Sequence, residues 1–214
     1  MLFGIFIYDG VEPIDLATYG VLSMARRIRP DIAICTVAPA SGPVALANGL
    51  TVIADHGIAT APALDVLVVT GGPGWVAQST APETLAFIRH QAATIPVVSV
   101  CTGGMILAAS GVLDGRAATT KREVVPPEQS PLQRLRDEYP QVATHDASLV
   151  DAGSIVTGGG VSLCIDTMLH LLQRFFGAEV AAETARIIEY QRAWAANLAL
   201  FPPLHAPHGR APVD

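Results

Sequence analysis

The sequence predicts an α/β fold: a mainly parallel sheet with helices on both faces. Three observations point to it. Short apolar runs rich in β-branched residues, such as Leu2–Tyr8, Asp65–Thr70 and Val97–Val100, read as strands buried on both sides. These runs alternate with helix-length segments, the pattern of strand–helix–strand crossovers. The strands also stop at small-residue turns: Tyr8-Asp9-Gly10, Thr70-Gly71-Gly72, Val100-Cys101 and Thr157-Gly158-Gly159. In a parallel sheet those turns share one edge, the carboxyl edge where ligands bind.

Each element has a local reason. Leu2–Tyr8 is ended by Asp9-Gly10, and a helix follows from about Pro13, with proline at a first-turn position and Glu12 or Asp15 at its N-terminus. It stops before Pro30, and Ile32–Val37 is the next strand. Val44–Ala54, turned through Asn48-Gly49, reads as a small hairpin. Asp65–Thr70 is cut by Gly71-Gly72-Pro73-Gly74; Pro82–Ala93 is helical; Val97–Val100 leads into a helix that closes at Gly111. Beyond Gly115, Pro126, Pro127 and Pro131 mark an irregular loop before a helix over Leu132–Glu138. Ala147–Val150 and Ser154–Thr157 form a hairpin about Ala152-Gly153. Gly158-Gly159-Gly160 then launches a long helix to Phe176, and another runs from Ala178 to about Arg192. Residues 1–200 read as one domain and 201–214 as a proline-rich tail, extended or mobile from Pro202 onward.

A chain of 214 residues, half of them hydrophobic and 15% charged, can bury a sizeable single core. With 13 Lys and Arg against 19 Asp and Glu, the net charge is −6, which argues against nucleic-acid or membrane-surface binding. The one dense basic cluster, Arg26, Arg27 and Arg29, reads as a solvated helix end. Three scattered cysteines make neither a disulfide framework nor a metal set, and the six histidines show no metal spacing. The opening lacks a basic signal-peptide region and no run is long enough to span a bilayer, so a cytoplasmic location is expected.

The segment Val-Val-Ser-Val-Cys-Thr-Gly-Gly places Cys101 at a strand-to-helix turn with small neighbours, Ser99, Gly103 and Gly104. A thiol held there meets the unpaired amides and positive end of a helix, which favour the thiolate. Cys101 is therefore the expected nucleophile, whereas Cys35 and Cys164 read as packing residues. No histidine follows Cys101; Thr102 stands there. Asp15 is the candidate proton carrier, because a carboxyl held in a low-dielectric pocket has a raised pKa. Ordinary complementation of the helix dipole is the competing role for Asp15, and Glu12 reads more as the cap. Backbone amides of Gly72 and Thr102 could form an oxyanion hole, and Gly159 joins them as a candidate substrate contact. The Gly71–Gly74 run lacks the Lys-Ser/Thr of a phosphate loop, so nucleotide binding is not expected; no other cofactor and no metal is expected either. Asp166, set among Leu163, Ile165, Met168, Leu169 and Leu172, reads as a buried brace paired with Lys121, Arg122 or the amides near Gly159.

These stretches, FIYDGVEPIDLA, VVTGGPG, VVSVCTGGMILAASGVLDGRAATT and VTGGGVSLCIDTMLHLL, resemble the ThiJ/PfpI superfamily of class I glutamine amidotransferase-like proteins. The resemblance extends to about Tyr190 and implies a flavodoxin-like three-layer sandwich with small accessory hairpins. The Cys-Thr-Gly form with Asp in the first helix is most similar to the isonitrile hydratase branch, and is similar to the amidotransferase-like half of AraC-type regulators. It implies Cys101 as nucleophile, Asp15 as acidic partner, Thr102 orienting the site, a small-molecule substrate and a homodimer. Thiolate attack on a terminal isonitrile carbon would give a thioimidate, which water converts to an N-substituted formamide. Two alternatives are a non-enzymatic redox- or ligand-sensing domain and a glyoxalase- or deglycase-type enzyme; the latter is less supported without Glu in the first helix or His after the cysteine. A DNA-binding regulator would need a helix-turn-helix extension, for which the chain ends too early. The isonitrile hydratase branch and the AraC-type half commonly continue Ala-Thr-Thr with His-Trp, whereas this chain has Lys121-Arg122 and a proline-rich insertion from Val124 to Pro131. Both changes are expected near the pocket mouth and bear on the substrate.

Overall fold

A computed structural model describes residues 1–206. In chain order the first half contains β1 (Leu2–Phe6), α1 (Ala17–Ala25, entered through a 3-10 turn at Pro13–Leu16), β2 (Ala33–Ala38), β3 (Gly42–Ala45), β4 (Thr51–Ala54), β5 (His56–Gly57), β6 (Val66–Val69), α2 (Trp75–Gln78), α3 (Pro82–Ala92), β7 (Val97–Ser99) and α4 (Gly103–Ala109). The second half contains β8 (Ala117–Ala118), α5 (Pro131–Glu138), β9 (Ala143–Thr144), β10 (Leu149–Asp151), β11 (Ile155–Gly158), α6 (Leu163–Phe176), α7 (Ala178–Ile187), α8 (Gln191–Leu200) and β12 (Leu204–His205).

Eight strands form one sheet in the order β12-β10-β11-β7-β6-β1-β2-β5. Every pair is parallel except β10–β11, a hairpin with Val150 opposite Thr157. The expected mainly parallel α/β sandwich is what the chain forms. Side-chain alternation along β1 shows how both faces are covered. Phe3 meets Phe175 and Phe176 of α6 at 6.3 and 6.4 Å, while Phe6, on the other face, meets Phe87 of α3 at 6.0 Å. Phe3, Ile5, Phe6, Ile7 and Tyr8 are all fully buried, each burial stabilising by about 1.5–3 kcal/mol. That makes β1 the centre of the core.

The order of strands also sets the site. From β1 the chain passes to β2 on one side, whereas β6 pairs on the other, so the topology switches direction between β1 and β6. The crevice of an open parallel sheet lies outside the carboxyl ends of such a pair. Here β1 leads to the turn with Asp15, β6 to Gly71-Gly72, and the neighbouring β7 to Cys101.

Three expectations need correction. The helix from Ala178 to Arg192 is two helices: Glu189 takes a left-handed φ of 56°, which ends α7 and starts α8 in a new direction. The tail from Pro202 is extended but not separate from the domain, since Leu204–His205 pairs in parallel with Val150 and Asp151 of β10; residues 207–214 lie outside the described part. Asp166 is not paired with Lys121, Arg122 or the Gly159 amide. Its carboxylate instead accepts hydrogen bonds from Tyr190 Oη (2.9 Å) and Asn197 Nδ2 (3.1 Å), which tie α6 to α8.

Candidate active site

Cys101 sits at the turn between β7 and α4 with φ of 53°, a left-handed conformation that non-glycine residues rarely adopt. The surroundings hold it there. Its N–H donates to the Gly159 carbonyl (3.0 Å), and its carbonyl accepts from Thr120 Oγ1 (2.7 Å). Glycine is required on both sides of the turn. A Cβ on Gly71 would fall 2.4 Å from the Thr102 nitrogen, and one on Gly160 would fall 2.9 Å from Cys101 Sγ. The small-residue turns converge because the backbones touch.

Asp15 lies in the 3-10 turn before α1 and is fully buried. Oδ2 accepts the Gly71 N–H at 2.6 Å, while Oδ1 has no hydrogen-bond partner. Burial raises its pKa to about 7, opposed by the Gly71 amide and by the Cys101 thiol beside it, and supported by the charge of Glu12. The thiol in turn is pushed well above its ordinary value by burial and by the Asp15 charge, against the Thr102 amide and the Lys121 cation, which favour the thiolate. The helix end alone thus does not make Cys101 a resting thiolate. The sulfur and the carboxyl form a buried pair: the thiol favours the carboxylate, and the carboxylate charge disfavours the thiolate.

Of the other candidates, Thr102 is a clamp. Its Oγ1 accepts the Gly72 N–H (2.8 Å) and donates to the Gly72 carbonyl (3.3 Å), while its own amide is directed at the sulfur. The Gly72 amide is therefore engaged by Thr102 rather than left free for an oxyanion. Gly159 is likewise spent on structure: its N–H donates to the Ser148 carbonyl (2.8 Å) and its carbonyl holds Cys101. Glu12 holds the N-cap position but makes no side-chain capping hydrogen bond; it acts on Asp15 electrostatically and reaches the cavity wall.

Cys101 opens onto a cavity of about 440 Å³, within the range of small-molecule pockets. Gly72, Trp75, Thr102, Lys121, Arg134 and Val161 are among its walls. The departures Lys121-Arg122 and Val124–Pro131 do border it, through Lys121, Val124, Glu128, Gln129 and Pro131. Arg122 turns away, pairing with Asp146 at 3.2 Å and stacking over Phe201 at 4.1 Å. Sequence reading missed Trp75 and Arg134, which stack at 4.7 Å on the cavity wall. It also read Cys164 as plain packing. Cys164 is buried, yet its thiol lies 3.6 Å from the Ile14 carbonyl, and after burial the charges of Asp15 and Cys101 are what raise its pKa most. The signal available in the sequence was its place three residues past Val161, one turn from the Gly158–Gly160 run.

The chain matches the DJ-1/PfpI family over residues 4–174. It belongs to that family. Among curated relatives it is 32% identical over 191 residues to the isonitrile hydratase of Pseudomonas putida, covering 87% of this chain and 77% of that enzyme. It is 31% identical over 147 residues to the HTH-type transcriptional regulator GbdR of Pseudomonas aeruginosa, covering 68% of this chain and 38% of the regulator. Among solved structures, a ThiJ/PfpI family protein from Pseudomonas syringae superposes with a TM-score of 0.76 at 24% identity, over 94% of this chain and 87% of the other. Drosophila melanogaster DJ-1beta superposes at 0.74 and 18% identity, over 88% and 97%. These two structures share the fold of this DJ-1/PfpI protein. The family holds both enzymes and regulators, as the curated relatives illustrate.

Proposed function

We propose that this DJ-1/PfpI protein is an enzyme that hydrates a small electrophile through Cys101, in the manner of an isonitrile hydratase. The observation that carries the reading is the pair itself: a left-handed cysteine opening to a small cavity beside a fully buried carboxyl with an unpartnered oxygen. Asp15, with its pKa raised to about 7, can accept the thiol proton and give it up again near neutral pH. Sγ bonds to the terminal carbon of R–N≡C while the proton passes by way of Asp15 to that carbon, giving a thioimidate, R–N=CH–S–Cys101. Water then adds to the carbon, the C–S bond breaks, the sulfur regains a proton and an N-substituted formamide leaves. Isonitrile plus water equals formamide, so no cofactor is consumed. The Thr102 amide aimed at the sulfur stabilises negative charge there. A homodimer in the cytoplasm completes the proposal; among the described residues no helix is long and apolar enough to cross a membrane.

The test is turnover of alkyl isonitriles to formamides by the wild type and by Cys101→Ala. Cys101→Ala is expected to lose at least about 10³-fold in kcat, the scale seen when a covalent nucleophile is removed. Full turnover by that variant would sink the thiolate mechanism. A second reading draws on the regulator relatives: a sensing domain in which Cys101 is oxidised reversibly. It gains if no electrophile turns over while dilute peroxide gives a reducible sulfenic acid at Cys101 alone.

A further inference from the structure

The residue that this chain places against Cys101 from the Thr119-Thr120 strand end is a lysine, and its position is specific. A Cβ built on Gly160 would lie 2.9 Å from Cys101 Sγ and 2.9 Å from Lys121 Cβ, so the lysine stem and the sulfur flank the same glycine. Both residues line the 440 Å³ cavity. Lys121 is fixed at its root, because its carbonyl accepts the Leu132 N–H at 2.9 Å and closes the base of the segment that follows.

The ammonium makes no ion pair among the described residues; its contact is the backbone carbonyl of Glu123. An ammonium carries three donors, so this leaves two uncommitted on a residue that lines the cavity. The other cation on the wall is already used: Arg134 bonds both oxygens of Glu138, at 2.7 and 3.3 Å, and stacks on Trp75. Two acids also line the cavity. Glu12 comes with the Gly72 turn and acts on Asp15, and Glu128 stands on the exposed segment. Around the sulfur itself the largest charge effects come from Asp15 and Lys121. Asp15 is fully buried and does not line the cavity, so of these two charges the one on the cavity wall is the lysine.

We propose that Lys121 is the specificity-determining residue of the Cys101 cavity, and that the cavity selects electrophiles bearing a carboxylate close to the reacting carbon. This rests on the reading of Cys101 as nucleophile and names the substrate class more narrowly than a neutral isonitrile. The ammonium leaves the Glu123 carbonyl and takes the substrate carboxylate, which orients the carbon over Sγ; Lys121 positions the substrate and transfers no proton.

Two alkylating agents that differ only in charge test this without assuming any turnover. Rates of S-alkylation at Cys101 by iodoacetate and by iodoacetamide are followed by peptide mass spectrometry, with glutathione as the reference thiol. The iodoacetate-to-iodoacetamide ratio at Cys101 is expected to exceed that of glutathione. It should fall about tenfold in Lys121→Met, the size of one lost hydrogen bond between charged groups, and survive in Lys121→Arg. Any change in thiolate fraction cancels in the ratio. Equal ratios in the wild type and in Lys121→Met overturn the proposal. A second arm compares isocyanoacetate with its methyl ester as hydration substrates. A wild-type preference for the acid that Lys121→Met abolishes supports both this proposal and the hydration reading. Hydration of acid and ester alike by both proteins refutes the role of Lys121 and leaves hydration standing. A shifted alkylation ratio with no isonitrile hydrated does the reverse.

Discussion

Asp15 and Asp166 are the two buried carboxylates among the described residues, each near the start of a helix, and they are treated in opposite ways. Asp166 accepts from Tyr190 and Asn197 on both its oxygens, so α8 is stitched to α6 through a satisfied network. Asp15 has one oxygen bonded to Gly71 and one without a partner. The other buried side-chain atom lacking a partner among the described residues, Ser99 Oγ, lies on the strand that leads to Cys101. An unsatisfied buried polar atom costs about 1–3 kcal/mol, so the molecule concentrates that cost at one edge of the sheet. Burial raises the pKa of both acids, yet only at Asp15 does a thiol, that of Cys101, act on the carboxyl itself. A shifted carboxyl is therefore not enough to mark a site; a shifted carboxyl with spare bonding capacity next to a nucleophile is.

The sharpest way to break that contrast is Asp15→Asn. It keeps an acceptor for the Gly71 N–H but cannot carry a proton between Sγ and substrate. Turnover is expected to fall by about 10²-fold or more, the usual range for loss of a general acid–base. Stability should move the other way. Because the folded pKa is raised from 3.8 to about 7, the unfolded acid ionises first as pH rises. The stability that neutral Asp15 lends the fold is fully present below pH 3.8 and is lost as pH climbs through 7. Asparagine does not ionise, so Asp15→Asn should gain on the wild type across that window by up to about 4 kcal/mol and no further above it. Urea unfolding at several pH values measures the gap, and a gap independent of pH would mean that Asp15 ionises normally.

Asp166→Ala probes the other side of the comparison. It removes an acceptor from Tyr190 and Asn197 and is expected to destabilise by about 1–3 kcal/mol. Turnover per folded molecule should match the wild type. A loss of activity comparable to that of Asp15→Asn would place Asp166 in the chemistry.

The site was more legible in the sequence than the second cluster, for a physical reason. Cys101 and the glycines around it are local: a strand of β-branched residues followed by Cys-Thr-Gly-Gly announces a tight strand-to-helix turn whatever the rest of the chain does. The parallel sheet was legible because its strands are apolar on both faces. Asp15 was reachable through topology, since parallel strands put their outgoing turns on one edge. The partners of Asp166 were not, because Tyr190 and Asn197 arrive only after the chain breaks at Glu189, where a residue with ordinary helix propensity takes a left-handed φ. The fate of the Gly72 and Gly159 amides was equally hidden. Which backbone groups remain free depends on distances of a few tenths of an ångström between turns far apart in sequence.

Tyr190→Phe carries the smallest expected effect and the finest discrimination. The hydroxyl donates to Asp166 at 2.9 Å, while Asn197 Nδ2 remains within 3.1 Å of both carboxylate oxygens, so the acid keeps a donor when the hydroxyl goes. The loss should be about 1 kcal/mol, that of one hydrogen bond in a network that stays partly made. It should be local: faster amide exchange in α8, with α6 and the sheet protected as before. The pKa of Asp166 should rise further, since burial raises it and the Tyr190 hydrogen bond is one of the interactions holding it down. Alkylation of Cys101 by iodoacetamide should proceed at the wild-type rate. If removing the one hydroxyl at the N-cap of α8 changed that rate, the two carboxylate clusters would be coupled through α6, which carries both Asp166 and Cys164, and the contrast between a reactive and a structural acid would have to be redrawn as a single network.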